Sequence, residues 1–444
     1  MPSLSAETAP ISYIMETLML QSRSPHWCFT KKGLATVAKI RVGVVFGGKS
    51  GEHEVSIESA KSVMEALDRT KYDVVPIAID KHGRWHSGDN AVRFLDGGWA
   101  TLAAPRSGAS LLTGDGMAND AAGTAAQDTG TGARAQDAGT TAAQHDGGEQ
   151  TDSSQALQPV GGSSVLPGHV AESIDVLFPV LHGSYGEDGT VQGMFELLDI
   201  PYVGAGVAAS AVGMDKILMK RVFAAVGLPQ VNYVYCTRTE WEKQPDLVIS
   251  RVEEALSYPC FVKPANLGSS VGISKAKSRE ELSQAIVLAA RYDRKVIIEE
   301  GANVREVEVA VLGNDEPKAS VAGEVVPSNE FYDYRAKYLD GESSLLIPAP
   351  VSGEVMDEIR RLAVLAYQAV DCSGLARVDF FVEKGTDRVL VNEINTMPGF
   401  TRFSMYPKLW EATGLSYRQL IDELLSLAID RAEERRKSQI DFEV

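Results

Sequence analysis

Cysteine is scarce and scattered. The four residues Cys28, Cys236, Cys260 and Cys372 form no CxxC pair, so neither a zinc site nor a disulfide framework is implied. That usage fits a reducing compartment. Long apolar runs are missing too. None reaches the roughly 18 residues that a bilayer-spanning helix needs, and the N-terminal "SYIMETLMLQS" lacks the basic start and small-residue cleavage site of a signal peptide. A cytoplasmic protein is expected. Positive charge is in deficit: the formal net charge of −17 disfavours nucleic acid or an anionic membrane as partner. A small anionic ligand held by a few local lysines stays open. What the chain does have is 444 residues, enough for two or three domains, and 44% hydrophobic content to fill their cores.

Residues 1–38 show no clear period and read as a disordered extension. From "KIRVGVVFGG" (39–48) the pattern becomes strand, Gly-rich turn and helix, and "DVVPIAID" (73–80) reads as a second buried strand. Between Gly114 and Gln155 the chain is mostly Ala, Gly, Thr, Asp and Gln, with Met117 its only large apolar residue. Such a segment cannot offset its ordering entropy, so about 104–165 reads as a disordered surface insertion. Order resumes at "SIDVLFPVLHG" (173–183). Apolar strands alternating with helical stretches predict a parallel α/β sheet, so the insertion interrupts one domain, 39–212. A second α/β region follows over 213–322. A third, 323–444, closes with an amphipathic helix near 416–436.

"GVVFGGKS" (Gly43–Ser50) satisfies GxxxxGK[ST], the phosphate-loop pattern. That mechanism needs loop amides around the phosphate, whereas Val44, Val45 and Phe46 belong to a buried strand. The turn is better suited to aim a helix N-terminus, with Glu52, His53 and Ser56, at a small polar ligand. An ordinary βα turn with Glu52 as a first-turn helix acid explains the same residues.

The last third carries a denser constellation. In "LARVDFFVE" (375–383), Arg377 and Asp379 share one strand face, and in "VLVNEINTMPGF" (389–400), Glu393 and Asn395 share one. The intervening "KGTD" (384–387) predicts a hairpin. Asp379 faces Glu393 only if the loop has an odd residue count or a bulge shifts the register, and this shared-face register is the expectation. Three oxygen-bearing side chains would then suit Mg²⁺ that keeps waters and shares phosphate oxygens. A salt-bridged strand pair, Arg377 with Asp379 or Glu393, accounts for the residues equally well.

"PCFVKPANLGSSVGISKA" (259–276) places Lys263 on an apolar strand before Gly268-Ser269-Ser270-Val271-Gly272, a loop dense in amides and hydroxyls that suits a lid over phosphates. Lys216, at a predicted helix start, is a second cation. Glu299 at a strand end and Glu306 seven residues on can accept from an adenine amino group and a ribose hydroxyl. Taken singly, a solvated lysine, a flexible turn and surface acids explain each.

The ordered set "GGKSGEHEVS", "HGSYGEDGTVQG", "MDK", "VKPANLGSSVG", "EFYDYRAKYLDGESSLLIPAP", "ARVDFFVE" and "NEINTMPGFT" resembles the D-alanine–D-alanine ligases of the ATP-grasp superfamily, over about 39–100 and 170–435. The extension and the Ala/Gly/Thr insertion are departures that break no motif. The resemblance implies an α/β fold of three α/β domains: a Rossmann-like N-terminal substrate-binding domain, then central and C-terminal domains whose sheets clamp ATP. It further implies that Lys216, Lys263 and Ser270 contact phosphates, and that Glu299, the backbone at Gly301 and Ala302, and Glu306 hold adenine and ribose. Gly301 stands where relatives often carry a large apolar residue. Asp379, Glu393 and Asn395 match the family's ligands for two Mg²⁺ ions, with Mn²⁺ as a substitute.

By the same resemblance, Glu52 anchors the first D-alanine ammonium and is linked through Ser269 to Tyr338. His182 sits near the first substrate. Arg377 and the Gly399 amide stabilise the oxyanion, and Lys337 and Ser404 lie around the second carboxylate and the phosphates. The loop 330–341 reads as a mobile lid or, more simply, a surface loop, and Tyr338 resembles the residue that marks D-alanine as second substrate. The implied activity joins two D-alanines at the expense of ATP for peptidoglycan precursors, in a homodimer formed through the N-terminal domains. The alternatives are an ATP-grasp ligase using D-lactate or D-serine, a P-loop NTPase, and a catalytically dead nucleotide-binding module. The presence of Arg377, Asp379, Glu393 and Asn395 together argues against the last.

Overall fold

Val42, Val44, Val45 and Phe46 make an unbroken apolar run, and they are fully buried in strand β1, Ile40–Gly47. A strand covered on both faces reads this way. In this computed structural model the described residues are 38–96, 166, 168–326 and 344–439. The expected insertion at 104–165, residues 1–37 of the expected extension, and the loop 330–341 with Lys337 and Tyr338 lie outside them.

The first sheet has the order β3-β2-β1-β4, with β2 at Tyr72–Ile79, β3 at Trp85–Ser87 and β4 at Val176–Pro179. Strands β1 and β4 are parallel, with Val42 opposite Val176 and Val45 opposite Pro179. The 104–165 stretch therefore falls between β3 and β4, the two edge strands of one sheet. The phosphate-loop pattern is a strand here. A Cβ added at Gly43 would stand 2.8 Å from Leu177 Cδ2, a closeness of packing that leaves no room for a phosphate. Helix α1, His53–Ala66, follows β1.

The other two sheets are antiparallel throughout. The second has the order β5-β8-β6-β7, from Tyr233–Thr237 (β5), Cys260–Pro264 (β6), Ser274–Ala276 (β7) and Lys295–Glu300 (β8). Its apolar face packs on helices Pro245–Ala255 and Arg279–Tyr292 through Val262, Ile298, Val252 and Ile286. The third has the order β11-β10-β9-β12-β13, from Val304–Gly313 (β9), Lys318–Val326 (β10), Ser344–Leu346 (β11), Gly374–Glu383 (β12) and Val389–Asn395 (β13). Helix α2, Lys216–Ala225, and helix α3, Gly353–Ala369, share its core.

One expected boundary moves. The division at 322/323 falls inside β10, which pairs with β9 and β11. The second sheet ends with β8 at Glu300 and the third begins with β9 at Val304, so the three residues 301–303 carry the chain across. These three residues carry no signal that would mark a change of sheet, yet the hydrogen bonds of the two strands go to different sheets. The closing helix, α4, spans Tyr417–Arg435.

Candidate active site

The second and third sheets face each other across a cavity of 1010 Å³. Along β12 the even-numbered side chains enter the core and Arg377, Asp379 and Phe381 point the other way. Opposite them on β9 stand Ala310, Glu308 and Glu306, so the acidic side chains of both strands share the cavity face.

The hairpin register decides whether the metal-ligand candidates meet. Glu383 donates its N–H to the Arg388 carbonyl, which leaves an even, four-residue turn at Lys384–Asp387. Carried on regularly, that turn would oppose Asp379 to Asn392. A register shift between Asp379 and Phe380 intervenes: Phe380 pairs with Val391 but Asp379 pairs with Glu393, and Arg377 with Asn395. Asn392 is the extra residue, a bulge that re-aims the strand. The expected shared face is present.

Arg377 is forked onto Asp379, Nε to Oδ1 and Nη2 to Oδ2 both at 2.7 Å, and lies 3.1 Å from Glu308. Burial works against its charge, but Asp379 and Glu308 raise its pKa well above the ordinary value. The salt-bridged strand pair is thus real for Arg377 and Asp379. Glu393 is paired instead with Lys216, 3.3 Å away, and Asn395 Oδ1 accepts from the Met397 N–H at 3.0 Å.

The cationic wall is built around Glu299, which is only 2% exposed. Lys263 donates to its Oε2 at 2.6 Å. Lys220 lies 3.1 Å from Oε1, close enough for charge pairing but poorly aimed for a hydrogen bond. Burial pushes the Glu299 pKa up, but Lys220 and Lys263 outweigh it and hold the group at about 2. Lys263 is carried above its ordinary value, its burial overcome by Glu299 and Glu393. Ser270, Ala302 and Glu306 line the same cavity. Gly301 does not. Its N–H is spent on the Pro259 carbonyl at 3.0 Å, and a Cβ there would stand 2.5 Å from that oxygen. This close approach admits glycine where a larger side chain would force the backbone apart.

Beside the large cavity lies a small one of 40 Å³, lined among others by Glu187, Lys216, Gly268, Glu393 and Asn395. Beyond it, Ser269 Oγ donates to Glu52, joining the second sheet's loop to the turn after β1. Ser269 and Ser270 hold left-handed backbone, φ 52° and 59°, a strain typical of ligand-clamping loops. His182 is buried, with Nδ1 3.0 Å from the Met397 carbonyl and Nε2 3.1 Å from Ser59 Oγ. Burial holds its pKa below the ordinary value, against the opposing charge of Glu52. Ser404 stands at the N-cap position of the following helix Met405–Ala412, but its Oγ turns back to accept from the Thr401 N–H at 3.1 Å and lies 3.1 Å from where a Gly399 Cβ would be.

Three side chains that the motif reading left without a role belong to this site. Glu187, inside "HGSYGEDG", accepts from the Gly183 N–H at 2.9 Å. Lys220 is one helical turn after Lys216, a spacing that could have revealed it. Glu308 is two residues after Glu306, hence on the same face.

Two facing antiparallel sheets with this lysine-and-carboxylate slot define an ATP-grasp protein. Family models described as D-ala D-ala ligase N-terminus and D-ala D-ala ligase C-terminus match residues 41–205 and 222–426, and the chain belongs to the D-alanine–D-alanine ligase family. It is 46% identical over 408 residues to the D-alanine–D-alanine ligase of Natranaerobius thermophilus, covering 91% of this chain and 99% of that one. With the Acetivibrio thermocellus ligase it shares 48% over 400 residues, 90% and 98% of the two chains. Among solved structures, the D-alanine–D-alanine ligase of Coxiella burnetii superposes with a TM-score of 0.65 at 36% identity, over 90% of this chain and 98% of that one. The VanG D-Ala:D-Ser ligase of Enterococcus faecalis gives 0.67 at 32%, over 88% and 100%.

Proposed function

We propose that the chain joins two D-alanine molecules at the expense of ATP, releasing ADP and phosphate, for peptidoglycan precursor synthesis. The observation that carries this is the placement of Asp379 opposite Glu393, on a face shared with Arg377, at the junction where Lys216 and Gly268 connect the large cavity to the Glu52–Ser269 contact. A nucleotide held between the sheets delivers its terminal phosphate to that junction. Lys216, Lys263 and Ser270 hold phosphates, while Glu299, Ala302 and Glu306 hold adenine and ribose; each Glu299 oxygen keeps a lone pair beyond its lysine. Glu52 anchors the first ammonium, with Ser269 and, by resemblance, Tyr338. Once that D-alanine carboxylate is phosphorylated, the amine of the second attacks the carbonyl. Arg377 and the Gly399 amide receive the oxyanion, with Ser404 and Lys337 about the second carboxylate.

Among the described residues no three His, Cys, Asp or Glu side chains form a closed metal cage. Two carboxylates and one amide, Asp379, Glu393 and Asn395, suit instead a hard cation that keeps waters. Mg²⁺, or Mn²⁺ in its place, would supply neutralisation of the phosphate charge there. A division into three α/β domains with the second boundary at 301–303, a homodimer and a cytoplasmic location belong to the same reading. No helix among the described residues is long and apolar enough to cross a membrane.

Phosphate release with ATP, magnesium and D-alanine is the test. Release is expected to require D-alanine, to stop with a chelator, and to exceed that with D-lactate or D-serine. Glu393→Gln is expected to lower turnover far more than the thermal midpoint. Release indifferent to D-alanine, or abolished by Lys49→Ala and not by Lys263→Ala, would overturn the reading.

A further inference from the structure

We propose that Ser59 is a positioning residue: it fixes the His182 ring in one tautomer, and together they brace the Met397–Phe400 corner around the Gly399 amide. The role rests on the reading of that amide as an oxyanion donor. Ser59 lies on α1, seven residues after Glu52, and is fully buried, so its hydroxyl must find partners in the protein. It has two. His182 Nε2 is 3.1 Å away, and the Phe400 N–H donates to Ser59 Oγ at 3.4 Å.

The directions of these bonds follow from the partners. The Met397 carbonyl can only accept, so the hydrogen of a neutral His182 ring sits on Nδ1. Nε2 is then an acceptor, and the Ser59 hydroxyl must donate to it. The same oxygen's lone pairs receive the Phe400 N–H. Desolvation of the imidazole favours this neutral form. Both ring nitrogens are consumed, and the ring serves as a strut rather than as a base for the first substrate. The other backbone ties of the corner it braces lie at the corner's two ends, the Met397 N–H on Asn395 Oδ1 at 3.0 Å and the Tyr417 hydroxyl on the Phe400 carbonyl at 2.7 Å. Pro398 has no N–H to give, so Gly399 lies between the Met397 carbonyl, held by His182, and the Phe400 N–H, held by Ser59. One hydroxyl thus connects α1, the segment after β4 and the segment after β13. An oxyanion donor depends on placement, and misplacement by about 1 Å costs on the order of 100-fold.

The full chain, assayed with ATP, magnesium and D-alanine, is the material for the test. Ser59→Ala is expected to lower kcat about 10-fold, a partial version of that misplacement, with KM for the first D-alanine nearly unchanged. The double variant Ser59→Ala/His182→Ala should be little worse than either single one, since both cut the same strut. Nitrogen-15 NMR of the unaltered protein gives a readout free of folding defects: His182 should carry its proton on Nδ1. A proton on Nε2, an unchanged kcat in Ser59→Ala, or additive losses would each overturn the brace. Glu393→Gln separates the two failures. If it abolishes turnover while Ser59→Ala leaves it whole, the strut is wrong and the ligase reading stands. If neither matters, both fall.

Discussion

Glu299 and Glu187 are the same side chain in equally buried places, 2% and 8% exposed, and their neighbours send them opposite ways. Two lysines hold Glu299 at about 2. Around Glu187 burial dominates and the Glu52 charge adds to it, so its pKa is pushed up to about 8. The folded state therefore holds the Glu187 proton more tightly than an unfolded chain with its ordinary value of 4.5. The stability this contributes is complete below about pH 4.5 and is lost as pH rises through about 8. Glu187→Gln keeps an acceptor for the Gly183 N–H but cannot titrate. Thermal scans across that window should show the variant's midpoint declining less than the unaltered protein's, and overtaking it at the alkaline end. Parallel curves would mean that Glu187 is ionised alike in both states.

At the scale of the element, the hairpin of β12 and β13 shows how a one-residue irregularity makes a site. Val389 and Val391 enter the core, as does Ile394. Glu393 and Asn395 have the same parity as the two valines, so an uninterrupted strand would bury them. The bulge at Asn392 changes the face. Deleting Asn392 should therefore spare the site, since Glu393 then follows Val391 directly and still opposes Asp379; activity is expected to survive with an altered strand twist. Inserting an alanine after Glu393 should do the reverse, turning Ile394 outward and Asn395 into the core. Turnover would vanish and stability would drop by about 2 kcal/mol or more from the lost Ile394 burial alone. Chemical denaturation beside the phosphate assay checks both variants. The pairing of faces was legible in the sequence because alternation is written in residue types. The device that achieves it was not, because a bulge depends on which backbone hydrogen bonds form and has no composition of its own. For the same reason residues 301–303 hid a change of sheet. Lys220 escaped notice because a lysine inside a helix reads as solvated until a buried carboxylate is found beside it.

Across the whole molecule, the groups assigned to D-alanine come from two sheets and the segments that follow their strands: Glu52 just after β1, braced on the same side by the His182 strut after β4, and Arg377 and Gly399 on the third sheet or just after it. They must keep register, and α4 is the clasp. Arg431 donates to the Gly204 carbonyl, to Ser373 Oγ at 2.8 Å and to the Tyr202 carbonyl at 3.1 Å, with its guanidinium 4.3 Å from the Tyr202 ring centroid. One side chain thus ties the loop after the first sheet to the start of β12. Arg435 adds Glu196 and Asp199. Hydrogen bonds from a charged donor contribute about 1.5–3 kcal/mol each when buried, less where water competes. Arg431→Ala is accordingly expected to cost roughly 2–3 kcal/mol. Arg436→Ala, its bonds to Asp199 exposed, should stay within about 0.5 kcal/mol. The kinetic consequence is more telling than the stability. The nucleotide cavity is walled by the second and third sheets and does not include this clasp. Arg431→Ala should therefore lower kcat and weaken D-alanine while leaving KM for ATP near its original value. Equal losses in ATP and D-alanine binding would show that α4 supports the fold as a whole and does not hold the two halves of the D-alanine site in register.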